Sequence, residues 1–340
     1  MRAALFDAPG GPEVLRIEEV ERPEPGPGEV LVQVKAAAMN HLDLWVRRGL
    51  PLETTWPHIG GSDVAGVVAA LGPGVAGVEA GERVVVNPSL WCGRCEWCLK
   101  GEQPLCVSYR ILGEHTNGGF AEYVAVPARN LLPIPDDLAF TEAAAVPLPF
   151  STAWRGLITR GRLRAGEVVL VTGASGGVSV GALQIAKLAG ARVFAVTTGE
   201  NVERVRALGA DVVYDRESMD WSKQVWKDTG KRGVDQILDS VGEATWSQNL
   251  RALARGGRLV TYGATTGPNA LTDVRVVFWK QIEILGTTMA TPAEFETVMR
   301  LVFRRSLRPV VDVELPLAEV RQAHERLEAG RQFGKIVLVP

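Results

Sequence analysis

The sequence predicts an α/β chain in two parts: a β-rich part that holds both ends of the chain, and a doubly wound sheet of six parallel strands set between its pieces. Two textures and a return carry this expectation. Up to about residue 130, short strand-like runs alternate with Gly- and Pro-rich turns; from Glu167, short apolar runs alternate with helical patterns; after residue 290 the pattern changes again. At roughly 150 residues per domain, 340 residues make about two domains, each able to bury a substantial core.

The β-rich runs are EVLVQVKAA (29 to 37), SDVAGVVAAL (62 to 71), ERVVVN (82 to 87) and FAEYVAV (120 to 126), separated by turn punctuation such as EPGPGE and LGPGVAG. Turns at this density suggest an irregular barrel or sandwich rather than a helical domain. The second texture runs VVLVTG (168 to 173), ARVFAVTT (191 to 198), DVVYD (211 to 215), VDQILDSV (234 to 241), GRLVTYGA (257 to 264) and IEILGTT (282 to 288). Apolar strands spaced by helices of about a dozen residues mark βαβ units, and six fill a doubly wound nucleotide-binding sheet. The tail adds a helix from Pro292 to Phe303, a strand around VVDVELP, a helix AEVRQAHERLEAG and a last strand KIVLV, and is expected to rejoin the first part. The expected division is 1–149 with 290–340, and 150–289.

Charge narrows the partners. With 37 basic and 39 acidic residues, the net charge of -2 leaves no electrostatic footprint for nucleic acid or an anionic membrane. No run approaches the ~18 apolar residues of a membrane span, and MRAALFDAPGGPEV breaks at Pro9 and Gly10 before a signal-peptide core could form. The expectation is a cytoplasmic protein whose partners are a small-molecule substrate and its own copies, as a dimer or tetramer.

All four cysteines fall in WCGRCEWCLKGEQPLC, at Cys92, Cys95, Cys98 and Cys106. In a reducing compartment disulfides are disfavoured, and C-x2-C-x2-C-x7-C offers four thiolates from one loop (about 91–107), as a closed tetrahedral zinc site requires. An iron–sulfur cluster fits less well, because its common run has three residues before the last Cys and a Pro after it, whereas here seven intervene and Pro104 precedes Cys106.

After VVLVTG comes GASGGVSVGALQIAK, with Gly173, Gly176 and Gly177 between a buried strand and an amphipathic helix. Glycines there let backbone N–H groups of residues such as Ser175 and Val178 approach a pyrophosphate, and the helix N-terminus adds partial positive charge. Ser179 stands where a last glycine would ease helix-to-strand packing. The acid that would grip a ribose 2′-hydroxyl should end the second strand, yet Thr197 and Thr198 stand there, with Glu200, Asn201 and Arg204 just beyond. NADP(H) is therefore expected over NAD(H), because hydroxyls do not repel a 2′-phosphate.

Together with GGFAEY (118 to 123) and the final GKIVLVP, these features resemble the medium-chain dehydrogenase/reductase superfamily, home of zinc alcohol dehydrogenases and quinone oxidoreductases. The resemblance covers the whole chain. It implies a GroES-like β-rich catalytic domain, a Rossmann domain, and one structural zinc on the four cysteines, remote from the chemistry.

In the alcohol dehydrogenases a second, catalytic zinc is held by a Cys at an early strand end, the His of Gly-His-Glu and a third ligand before the nucleotide domain. Here MNHLDLW (39 to 45) puts Asn40 at the first position, GGSDVAG (60 to 66) puts Ser62 and Asp63 at the second, and AVPLPFSTAW puts Leu148 near the third. Leu42 stands where the proton-relaying hydroxyl is expected. A catalytic zinc needs three protein ligands and an open position, which these residues do not offer. The pattern is similar to the zinc-independent quinone and enoyl reductase branch, which delivers hydride from NAD(P)H to an activated double bond or quinone.

The resemblance makes Asn40 a candidate oxyanion donor and Asp43 a catalytic candidate that could equally cap the chain locally. It places His41, Thr152, Gly263, Gly286 and Lys335 along the nicotinamide or phosphates. Trp45 and Trp56 are candidates for an aromatic wall. Two further readings stay open: an alcohol dehydrogenase recruiting zinc through unusual ligands such as Asp63, and a non-catalytic nucleotide-binding sensor.

Overall fold

The computed structural model describes residues 1–51 and 55–340. It divides into two compact units, Met1–Pro149 with Ala290–Pro340, and Phe150–Met289.

The first unit is built around the ten-residue strand Glu29–Ala38. Its apolar side chains are buried, and it pairs antiparallel with Asp63–Leu71, with Tyr123–Pro127 and with the final strand Lys335–Val339. The full sheet runs Leu131–Pro133, Arg83–Val86, Asp63–Leu71, Glu29–Ala38, Lys335–Val339, Val311–Pro316, with Tyr123–Pro127 beside the central strand. The tail thus returns to the first part, as its texture predicts. A smaller sheet of Arg16–Glu19, Arg2–Phe6 and His58–Ile59 has no clear signal in the sequence. Its strands are short and its turns irregular, so neither carries a clear period.

Register decides what meets at the end of the central strand. Ala38 faces Asp63 on one side and Val337 on the other, and Met39 N–H donates to the Ile336 carbonyl at 2.9 Å. One further step in each direction brings Asn40 beside Lys335. Gly334 launches that last strand at φ +88°, and a Cβ there would lie 2.3 Å from the Val310 carbonyl oxygen, so glycine is required.

The second unit is a six-stranded parallel sheet in the order Val212–Asp215, Arg192–Thr197, Val168–Val171, Val234–Asp239, Leu253–Thr261, Glu283–Gly286. This is the 3-2-1-4-5-6 order of a doubly wound nucleotide fold, whose strand sequence reverses between the first and fourth strands. Its core joins Leu170, Phe194, Val196, Ile237 and Leu259 to Trp221 and Val225 of the helix Trp221–Asp228. The fifth strand begins at Leu253 rather than at Gly257, with a register shift between Val234 and Gln236. The strand passes through Gly256, at φ +69°, and Gly257, which an apolar period does not register.

Candidate active site

In the first unit the helix His41–Arg48 starts directly after Asn40. Asp43 begins its second half-turn and closes the start: one carboxylate oxygen accepts from Asn40 N–H at 2.7 Å and the other from Gly61 N–H at 3.0 Å. The carboxyl is fully enclosed, and burial, the largest influence, pushes its pKa up to about 7 against those two N–H donors. Burial does the same to Glu114, also to about 7, with the Asp43 charge adding to it. Asp43, a catalytic candidate from sequence, therefore uses both oxygens to pin backbone.

Asn40 and Lys335 are nearly solvent-free, and Ser62 and Asp63 entirely so. The Lys335 ammonium donates to Asn40 Oδ1 at 2.6 Å and to Asp63 Oδ2 at 3.0 Å. Asn40 Nδ2 donates to the same Asp63 oxygen at 2.9 Å, and the Leu148 N–H donates to Asp63 Oδ1 at 2.7 Å. The three positions that hold a catalytic zinc in the resemblance, at 40, 62/63 and 148, thus do converge. What they bring together is an amide, a carboxylate, a backbone N–H and, from the last strand, an ammonium. The Ser62 hydroxyl has no hydrogen-bond partner among the described residues. Lys335, expected along the cofactor, spends two of its three N–H donors here. His41 is half-buried, and its pKa lies below the usual imidazole value through burial, then through the nearby cations Lys335 and Arg48.

A groove of about 700 Å³ in the same unit, lined by Leu5, Ile59, Trp91, Tyr123 and Arg129 among others, contains none of Asn40, Asp43, Asp63 or Lys335. It lies beside the cysteine loop rather than at the polar cluster.

Within that loop the sulfurs of Cys92, Cys95, Cys98 and Cys106 all lie within 4.8 Å of one another, with Cys92–Cys106 at 3.5 Å and Cys95–Cys98 at 3.6 Å. Four thiolates about 2.3 Å from one zinc ion sit roughly 3.8 Å apart, so the arrangement fits. Cys106 Sγ accepts from the N–H groups of Cys92 and Ser108, and backbone donors, Cys98 N–H first, hold the Cys95 thiol down at about 6. No other group of three or more His, Cys, Asp or Glu among the described residues is placed to share a metal.

In the second unit Gly173 leaves the first strand at φ +57°, Gly176 caps the helix Gly177–Leu188, and Ser175, Gly176, Gly177 and Val178 are half-buried around the turn. Ser179 Oγ donates to the Thr172 carbonyl at 3.0 Å, locking helix to strand where a glycine was expected. Thr197 ends the second strand buried, its hydroxyl without a partner among the described residues, while Asn201 Nδ2 donates to Thr198 Oγ1 at 3.1 Å. An unsatisfied buried hydroxyl and an open helix N-terminus at the strand ends fit a dinucleotide. Arg204 is exposed on the following helix. A Cβ at Gly263 would sit 3.2 Å from the Ser240 carbonyl, Gly286 faces open space, and Thr152 is buried with its hydroxyl 4.0 Å from Met289 sulfur.

Two residues of this unit escaped the sequence reading. Asp239, buried at the end of the fourth strand, accepts from Thr172 Oγ1 at 2.6 Å, Thr245 Oγ1 at 2.7 Å and Gly242 N–H at 2.9 Å, tying together the strand ends. Its signal was an acid closing an apolar strand. Asp215, which ends the third strand, puts a carboxylate oxygen 3.1 Å from where a Gly199 Cβ would be. Only the pairing of the second and third strands brings it there.

Residues 26–136 match the family model for the alcohol dehydrogenase GroES-like domain, and residues 177–304 match that for the zinc-binding dehydrogenase. The chain is 33% identical over 324 residues to an acryloyl-coenzyme A reductase of Metallosphaera sedula, covering 95% of each protein. It is 30% identical over 349 residues to a quinone oxidoreductase of Homo sapiens, covering 100% of this chain and 98% of that one. The crystal structure of an NAD-dependent alcohol dehydrogenase superposes over all of both chains with a TM-score of 0.96 at 47% identity. With a GroES-like part, a Rossmann sheet and a nucleotide turn in their family places, the chain belongs to the medium-chain dehydrogenase/reductase superfamily and is an NAD(P)-dependent oxidoreductase acting on a small-molecule substrate.

Proposed function

We propose that this enzyme transfers hydride from NAD(P)H to an activated double bond or quinone, with an α,β-unsaturated acyl thioester, enone or quinone as substrate, and without a catalytic metal. The observation that carries this reading is the donor set at 40, 63 and 148. Its one carboxylate has both oxygens engaged, and the group in its midst is the Lys335 cation. Such a set repels a divalent ion, whereas it supplies N–H donors to a developing oxyanion. An acryloyl-coenzyme A reductase and a quinone oxidoreductase among the relatives fit the same chemistry.

When bound, NAD(P)H would supply the hydride, and the enolate or quinolate so formed would take its proton from solvent. Asn40 donates an N–H to the substrate oxygen as negative charge grows on it, Asp43 holds the start of the helix that carries His41, and the turn Gly173 to Val178 presents backbone N–H groups to the pyrophosphate. The four cysteines hold one structural zinc. Thr197, Thr198 and Arg204 favour NADPH, by a margin that the Asp215 carboxylate beside Gly199 keeps small. Thiols at 3.5 Å or more, with no disulfide, suit a cytoplasmic enzyme, and among the described residues no helix is long and apolar enough to cross a membrane. A homo-oligomer completes the reading.

The test is turnover with NAD(P)H. Reduction of a quinone or an α,β-unsaturated carbonyl should proceed at a rate that chelators leave unchanged, and Asn40→Ala should slow it by up to ~100-fold. The likeness to a structure described as an alcohol dehydrogenase supports a second reading. Fast, chelator-sensitive oxidation of a primary or secondary alcohol would establish that reading and overturn the first.

A further inference from the structure

A carboxamide is a two-faced group. Turned one way it offers N–H donors to a nascent oxyanion; flipped by half a turn it offers an oxygen that repels it. Asn40 can serve the proposed reaction only if something forbids the flip.

The cluster around it contains that device. A Lys ammonium can only donate and an ionised carboxylate can only accept. Lys335 Nζ lies 2.6 Å from Asn40 Oδ1, Asp63 Oδ2 lies 2.9 Å from Asn40 Nδ2, and the two ions close the triangle at 3.0 Å. With the amide flipped, the ammonium would face an NH2 and the carboxylate would face an oxygen, two repulsive contacts in a site closed to water. Asp63 cannot swing away to relieve them, because its other oxygen holds Leu148 N–H at 2.7 Å. Asn40 Nδ2 gives one hydrogen to Asp63, and its second has no acceptor among the described residues. Donation into Oδ1 by a cation also withdraws electron density and strengthens that remaining N–H as a donor.

We propose that Lys335 and Asp63 are positioning residues that lock and polarise the Asn40 amide with an N–H outward, an inference that rests on the reading of Asn40 as the oxyanion donor. It gives Lys335 a task other than the phosphate contact implied by resemblance. The lock spans the chain: Lys335 comes from the last strand, Asn40 follows the central one, and Asp63 opens its neighbour.

The experiment is a double-mutant cycle on enone reduction at saturating NADPH, with NADPH dissociation constants measured by fluorescence titration. Asn40→Ala and Lys335→Met should each lower kcat, the latter by roughly 10- to 100-fold, while the NADPH dissociation constant moves less than about twofold. The two changes together should be no worse than Asn40→Ala alone, because a lock has no effect once its amide is gone. Lys335→Met leaves Asp63 buried without its counter-ion, so Asp63→Asn with Lys335→Met, which removes both charges, is the second variant. Folded with a near-normal thermal midpoint, it should show the same loss of kcat. If Asn40→Ala slows the enzyme but Lys335→Met weakens NADPH binding with kcat intact, or the two losses multiply, the positioning role is wrong and the donor role stands. An unchanged rate in Asn40→Ala overturns both.

Discussion

Asn40 takes its orientation from residues far away in sequence, whereas the cysteines find each other within one loop, and the difference sets what substitution should do. Cys95→Ser removes one of four ligands and should release the metal and loosen the loop, leaving NADPH affinity intact, because the loop and the nucleotide turn belong to different units. Elemental analysis should find one zinc per wild-type chain and none in the variant. Two tightly held zinc ions would contradict both the count and the metal-free mechanism. At the second strand end, Thr197 and Thr198 offer hydroxyls where an acid would select NAD, so NADPH should bind more tightly. One charge-assisted contact is worth about 1.5 to 3 kcal/mol, and nearby Asp215 works against it. Titrating both reduced cofactors decides this, and equal or tighter binding of NADH would make Glu200 or Asp215 the ribose ligand.

Between elements, the helix that begins at His41 is clamped to the helix Val320–Glu328 through one buried cation. Arg47, almost solvent-free, donates to the Gly10 carbonyl at 3.1 Å and to His324 Nδ1 at 3.2 Å, and pairs with Glu328. A guanidinium can only donate, so His324 accepts through Nδ1 and stays neutral, with its Nε2 buried and unpartnered among the described residues. Burial, and then Arg47, lower its pKa to about 3. The sign follows from which state takes the proton. Below pH 6.5 the unfolded chain binds a proton at His324 that the folded clamp refuses, so stability falls as pH drops from 6.5 towards 3, by about 1.4 kcal/mol per pH unit from this group. Asp43 and Glu114, with raised values, push the other way as pH falls from about 7. Comparing His324→Gln with wild type isolates the effect: their difference in thermal midpoint should shift in favour of the variant between pH 7 and 5. A pH-independent difference would show that His324 titrates normally. The helix Pro292–Phe303 was visible in the sequence to the residue and the helix Val320–Glu328 to within two at each end, whereas His41–Arg48 carried no helical reading. Which helix met which was not visible, because both Arg47 and His324 sit in amphipathic helices that look alike in isolation.

For the molecule as a whole, the sheet of the nucleotide unit ends in an edge strand rich in exposed neighbours along the chain. Among the described residues the edge strand Glu283–Gly286 pairs only with Leu253–Thr261, and just ahead of it in the chain Leu271, Val274, Phe278 and Trp279 are each at least 63% exposed. An open strand edge with an apolar flank invites pairing, and a two-fold axis lets such an edge pair with its own copy. The expected outcome is a dimer in light scattering that Ile284→Lys shifts towards monomer, without loss of secondary structure. A wild-type monomer at micromolar concentration would contradict it.

What can be read along the chain is what depends on local periods and short spacings. Six apolar runs specified the parallel sheet, glycines between strand and helix specified the nucleotide turn, and four cysteines within fifteen residues specified a cluster of sulfurs able to hold a metal, since each signal needs only neighbours along the chain. The sequence also showed what was missing at 40, 62 and 148. What stands there instead emerges only when the strands pair. Lys335 lies 295 residues from Asn40, and their meeting depends on the antiparallel register that carries Ala38 opposite Val337 and on Asp63 opening the other neighbouring strand. Register is set by the pleat and burial of whole strands, so the contact that orients the amide belongs to no motif that a stretch of sequence could display.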